Sequence, residues 1–138
     1  MKFEFDIYTP LDSENSKAET SQKKWLGESE FMGLFEEFKW SDYLASPTLS
    51  VYYPNSKVVL WVSLYATSDD NDEMFIIGYH RQVPSRGFLG LGRIKEKEKI
   101  TTYFVVGRDG VRDVFSEFFK FHFESMEQKL KKFDSELG

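Results

Sequence analysis

Histidine is the side chain best suited to proton transfer near neutral pH, and the chain holds two, His80 and His122. His80 lies in an alternating, strand-like run between Tyr79 and Arg81, and His122 in a run with helical spacing. A catalytic or zinc-binding histidine needs company at a set spacing. That company is a second histidine or carboxylate one helical turn away, or a serine on a glycine-flanked elbow. Neither histidine has it, so both read as packed or surface residues. With no cysteine in the chain, thiol nucleophiles, cysteine-built zinc sites and disulfides are excluded as well.

Three other clusters carry the right atoms at the wrong spacing. Asp69-Asp70-Asn71-Asp72-Glu73 has the oxygens of a calcium loop. Counted from Asp69, the sixth and twelfth positions hold Met74 and His80 where such a loop needs glycine and glutamate. Gly87-Phe88-Leu89-Gly90-Leu91-Gly92 lacks both phosphate-loop spacings and reads as a flexible basic hairpin among Arg86, Arg93, Lys95, Lys97 and Lys99. Glu36 and Glu37 are adjacent in a helical pattern and point about 100° apart, which prevents them from working as an acid–base pair. No catalytic, metal or cofactor constellation emerges, and the expectation is a protein that is not an enzyme.

The elements that must position these residues follow from periodicity. Phe3, Phe5 and Ile7 alternate with polar neighbours as in a half-buried strand, and residues 9–22 read as a polar loop. Phe31, Leu34, Phe35 and Phe38 mark one face of a helix over about Ser29–Trp40, with Ser29 as its N-cap. Strands are expected at Thr48–Tyr53, Val58–Ala66, about Glu73–Gln82 and Ile100–Val106, with a hairpin turn at Pro54-Asn55-Ser56-Lys57. A long amphipathic helix should follow Asp109-Gly110, carrying Val111, Val114, Phe115, Phe118, Phe119, His122, Met126, Leu130, Phe133 and Leu137 on one stripe. Phe121 and Phe123 fall off that stripe, which implies either packing on the second side of the sheet or a bend. Short connections between the central strands require antiparallel pairing. The fold class is therefore α+β, a single domain over residues 1–138. Its antiparallel sheet has about five strands, packed by a helix in the N-terminal half and a long C-terminal helix.

At 138 residues such a domain can bury a full core without covalent help. The acids in Met1-Lys2-Phe3-Glu4-Phe5-Asp6 break the apolar run that a signal peptide needs, and no stretch is apolar enough to span a membrane. The expected location is the cytoplasm. The net charge of −5 is unevenly spread. Residues 1–45 carry five lysines against ten acids, whereas residues 79–112 carry eight basic residues against three acids. A surface with a dominant acidic side repels nucleic acid and attracts basic proteins.

In Ile100-Thr101-Thr102-Tyr103-Phe104-Val105-Val106 a last strand passes through Asp109-Gly110 into Val111-Arg112-Asp113-Val114-Phe115. That passage, in a small acidic chain rich in Trp and Tyr, resembles the immunity proteins of contact-dependent growth inhibition systems with a whirly-like sheet. The likeness covers about the last 90 residues. It implies a non-enzymatic inhibitor whose partner is a cognate protein toxin, a basic folded domain such as a nuclease. Carboxylates and aromatics presented to a phosphate-binding cleft would supply steering and anchors. The candidates for that contact are Glu36, Glu37, Trp40, Asp42 and Tyr43 near the first helix, and Asp69, Asp70, Asp72 and Glu73 in the acidic loop. Three rival readings are an acidic dimeric secretion chaperone, a nucleic-acid binder using residues 79–112, and a small-ligand domain with a pocket near Trp61, Tyr79 and His80.

Overall fold

A computed structural model describes residues 3–9, 19–38, 40, 47–52, 57–67, 72–85 and 95–136. Their elements run β1 (Phe3–Thr9), β2 (Glu19–Leu26), α1 (Glu28–Glu37), β3 (Thr48–Tyr52), β4 (Val59–Thr67), β5 (Glu73–Ser85), β6 (Lys95–Val106), α2 (Arg108–Phe119) and α3 (Phe123–Ser135). All strand pairs are antiparallel, in a sheet ordered β2-β1-β3-β4-β5-β6. The α+β class and the antiparallel sheet match the sequence pattern. The strand count does not: six strands form instead of five.

The additional strand is β2, in and just beyond the segment read as a loop. Its sequence, ETSQKKWL, has no apolar alternation to signal a strand. It forms because β1 offers a free row of backbone donors and acceptors, which any residue type can pair. The β5–β6 ladder also runs further than expected, through Ser85 and back from Lys95. β4 pairs with β5 only as far as Val59 opposite His80, so Arg81–Ser85 and Lys95–Lys99 project as a two-stranded ribbon. The exposed charges of Lys97, Glu98 and Lys99 suit a strand at a sheet edge, where they discourage pairing with other chains.

Alternation assigns Leu49, Val51, Leu60, Val62, Phe75, Ile77, Tyr79, Tyr103 and Val105 to one side of the sheet. All of them are buried, and they share one core with Phe31 and Phe35 of α1, the Val111–Phe119 stripe of α2, and Met126 and Leu130 of α3. The rings of Phe31 and Phe115 stack at 4.4 Å between centroids, and Phe35 meets Phe75 at 5.4 Å. The three helices thus cover one side of the sheet, and among the described residues the buried apolar core draws on none from the other side.

Two helix boundaries depart from expectation. α1 begins at Glu28 behind Gly27, and no side chain caps it, so Ser29 is not the N-cap. The long C-terminal helix is two helices. Phe121 takes a left-handed φ of 61°, His122 N–H bonds to Glu117 O at 2.9 Å, and Phe121 N–H bonds to Phe118 O at 3.0 Å. These bonds close α2 with the ending normally built on glycine. The break lets α3 fold back along β6, where Asp134 Oδ1 accepts the Phe104 backbone N–H at 2.9 Å. Of the two sequence readings for Phe121 and Phe123, the bend is the one realised.

Candidate functional site

The uncovered side of the sheet is laid out by register. Tyr52, Val59, His80 and Ile100 form one row; Ser50, Trp61, Gly78 and Thr102 form the next. Ser63, Ile76 and Phe104 follow, and then Ala66, Met74 and Val106. A bulge between Leu64 and Ala66 inserts Tyr65 as an additional residue, so Tyr65 and Ala66 both lie on this side. Tyr65 is 61% exposed, Ile100 55% and Val106 44%. Tyr65 meets Phe104 edge to face at 5.0 Å. An apolar, aromatic surface of this extent, with no described helix over it, is the pattern of a binding face.

One polar chain crosses it. Trp61 Nε1–H donates to His80 Nε2 at 2.9 Å, and His80 Nδ1 lies 3.2 Å from Glu98 Oε1. The indole N–H has only a donor to offer, so Nε2 must be the acceptor and the ring proton sits on Nδ1, facing the carboxylate. A second proton on His80 would set N–H against N–H and break the Trp61 bond. The geometry occupies both ring nitrogens and leaves no lone pair for a substrate proton. Gly78 makes the arrangement possible, because a Cβ there would stand 2.0 Å from Trp61 Cε2. The indole lies flat where a side chain would have been.

At the far end, Ala66, Thr67, Asp72, Met74 and Val106 line a cavity of about 270 Å³. Among the strand residues whose side chains the structure describes, none on this side is Lys or Arg, and Glu98 is the one acid. Asp72 adds a second carboxylate at the rim. The opposite side of the ribbon carries Arg81, Lys97 and Lys99. There Arg81 stacks over Tyr79 at 4.7 Å and bonds Glu127 of α3 at 2.7 Å. Burial, the leading cause, raises both Tyr79 and Tyr103 above the usual phenol value.

The residues singled out in the sequence fare differently. Glu36 and Glu73 do converge, but on arginines of the same chain. Arg108 bonds both carboxylate oxygens of Glu73, at 2.7 and 3.0 Å, and reaches Glu36 Oε2 at 3.4 Å. Arg112 pairs with Glu36 and Asp109. The Glu73 hydrogen bonds hold the Arg108 guanidinium above its ordinary value despite partial burial. These two acids are therefore spent on tying α1, β5 and α2 together and are poor candidates for steering a partner. Trp40 is not a surface anchor either. It is 4% exposed and wedged among Phe35, Phe38 and Phe75 because the helix-side core has room for it. Its Nε1 has no hydrogen-bond partner among the described residues. Glu37 is exposed on α1, and Asp72 is exposed at the cavity. Asp42, Tyr43, Asp69 and Asp70 lie outside the described residues, as do Gly87–Gly92.

The pocket expected near Trp61, Tyr79 and His80 does not form as drawn. Tyr79 and His80 are consecutive strand residues, so Tyr79 is buried under the helices while His80 joins Trp61 on the uncovered side. The open face is present in the sequence pattern: Trp61, Ser63 and Tyr65 alternate with the core residues of β4, and Ile100 and Phe104 with those of β6. The missing signal was that the described helices all settle on one side.

Among the described residues no group of three or more His, Asp or Glu side chains can hold a metal ion. No described helix is long and apolar enough to cross a membrane. No family model, curated protein or solved structure matches the chain.

Proposed function

We propose that this chain is a non-enzymatic immunity protein, which neutralises a cognate toxin by docking on it with the uncovered side of the sheet. The observation that carries the reading is the surface of exposed Tyr65, Ile100 and Val106 with half-buried Phe104, free of described lysine and arginine and flanked by Glu98 and Asp72. Exposed aromatics on a rigid sheet are the residues that anchor protein partners at low conformational cost. Carboxylates at both ends, on a chain of net charge −5, favour a basic folded domain such as a nuclease. The contact surface thus moves from the acids around Glu36 and Glu73 to the sheet.

The engaged nitrogens of His80 support a binding role over a catalytic one. A cytoplasmic protein acting one to one on its toxin is the form this reading takes. It is separated from a dimeric chaperone by stoichiometry and by the folded state of the partner. The test is to look for a toxin domain encoded in the neighbouring gene and to co-express the two. The expected result is rescue of growth and a 1:1 complex by light scattering, both lost in the Tyr65→Ala/Ile100→Ser variant, which keeps its circular dichroism and melting temperature. Rescue that survives this variant would move the contact elsewhere. A failure of the parent chain to rescue would end the immunity reading.

A further inference from the structure

A second proton on His80 forces a choice between its two partners. Glu98 keeps its bond in either state, because Nδ1 carries a proton in both and a carboxylate holds an imidazolium more strongly than a neutral ring. Trp61 does not, because an indole N–H can only donate and a protonated Nε2 can no longer accept. The indole is therefore the group that must move. Its position allows this, since the bare backbone of Gly78 beneath it has no side chain to retain the ring. The charged surroundings of the imidazole are few. Among the described residues, His80 shares its row with Tyr52 of β3, Val59 of β4 and Ile100 of β6, and Gln82 follows it on β5. Exposed Lys57 lies two residues before Val59, while Arg81, Lys97 and Lys99 belong to the opposite side of the ribbon. Ile100, 55% exposed, stands directly opposite His80, and Trp61 lies in the next row. An indole lifted from Gly78 would stand out of the face beside Ile100. The new positive charge would at the same time offset Glu98, one of the carboxylates that favour a basic partner. Both changes act in the same direction.

We propose that His80 is a pH switch for the open face: its protonation ejects the Trp61 indole from Gly78 and so weakens docking. The consequence for docking rests on the docking reading of this face, but the switch itself can be measured without a partner. The measurement is NMR of the full chain from about pH 8 to about pH 5, the range in which histidine changes charge. The chain has three tryptophans, so the reporter is the indole N–H signal that disappears in Trp61→Phe. That signal and the His80 ring signals should titrate with one midpoint, while the core methyl signals of Val62 and Ile77 stay in place. In His80→Gln, whose side-chain oxygen still accepts the indole proton but does not ionise, the Trp61 signal should not move. A Trp61 signal that ignores pH in the parent, or that titrates as before in His80→Gln, overturns the proposal and leaves the docking face standing. In the toxin complex, affinity should fall about fivefold over the same range, the lower end of coupling between two sites, and should hold steady in His80→Gln. An equal fall in both proteins, or none in the parent, overturns the link to docking. If the coupled titration is seen and no toxin complex forms at any pH, the docking reading fails and the switch does not.

Discussion

The two sides of one sheet are built from alternate residues of the same strands, yet they have opposite fates. On the helix side, Leu60, Val62, Phe75, Ile77 and Val105 are fully buried and meet phenylalanines from three helices. On the other side, Trp61, Ile76 and Phe104 are half-buried and Ile100 is exposed, with no described helix over them. Their packing is mostly lateral: Tyr65 against Phe104, and Trp61 across Gly78 to His80. The contrast separates two uses of hydrophobic residues. Those on the helix side stabilise the fold. Those on the open side are only partly buried and contribute less to it.

The sharpest way to break this comparison is to truncate one residue on each side. Phe115→Ala removes the ring stacked on Phe31 and should lower stability by about 3–5 kcal/mol in denaturant titrations, because a full ring's cavity opens in the core. A loss under about 1 kcal/mol would mean that the helices are not what secures the sheet. Gly78→Ala tests the open side's internal order. The added methyl must push the Trp61 indole away from His80, costing about 1–3 kcal/mol and shifting tryptophan emission to the red. Unchanged emission would show that Trp61 does not lie flat across residue 78. Tyr65→Ala should alter stability by less than about 1 kcal/mol while weakening toxin binding tenfold or more. A large stability loss there would make the open side structural.

The smallest expected effect concerns the α2–α3 corner. The Lys129 hydrogen bond, aided by Ser125 and His122, holds the Glu117 carboxyl below its ordinary value of 4.5. A carboxylate depressed in the folded state stabilises it at pH values above that ordinary value. The contribution is lost as pH falls through the lowered folded value. Glu117→Gln should therefore lower the melting temperature modestly at neutral pH and converge on the parent as pH falls through the lowered folded value, which leaves a shallower acid limb. An acid limb as steep as the parent's would assign the acid sensitivity to other carboxylates.

How far the molecule was legible depended on whether a residue's role was local. β4 is legible because Leu60, Val62 and Leu64 alternate with Trp61, Ser63 and Tyr65 regardless of surroundings, and α2 because its stripe steps at three and four. β2 was not, since a polar edge strand is held by β1's backbone and leaves no mark in its own side chains. The end of α2 was half legible: the phenylalanines off the stripe signal a break, but Phe121 is not the glycine that usually announces one. At the candidate site, the sequence offered the acids and aromatics but not their partners. Glu73 and Arg108 are 35 residues apart, and Trp61 and His80 are 19 apart. No spacing rule joins such pairs.

By itself the sequence determined the α+β class, the antiparallel pairing, the periodic core of α1, α2 and the central strands, and the surplus of acid. Each of these is a property of neighbours along the chain, set by alternation, helical period or charge count. Only the tertiary structure decided which acids are neutralised by arginines, that Trp40 belongs to the core, and which side of the sheet stays open. Those outcomes depend on where the helices come to rest. Helices settle where the most apolar area can be buried at once, a sum over the whole fold that no local pattern contains.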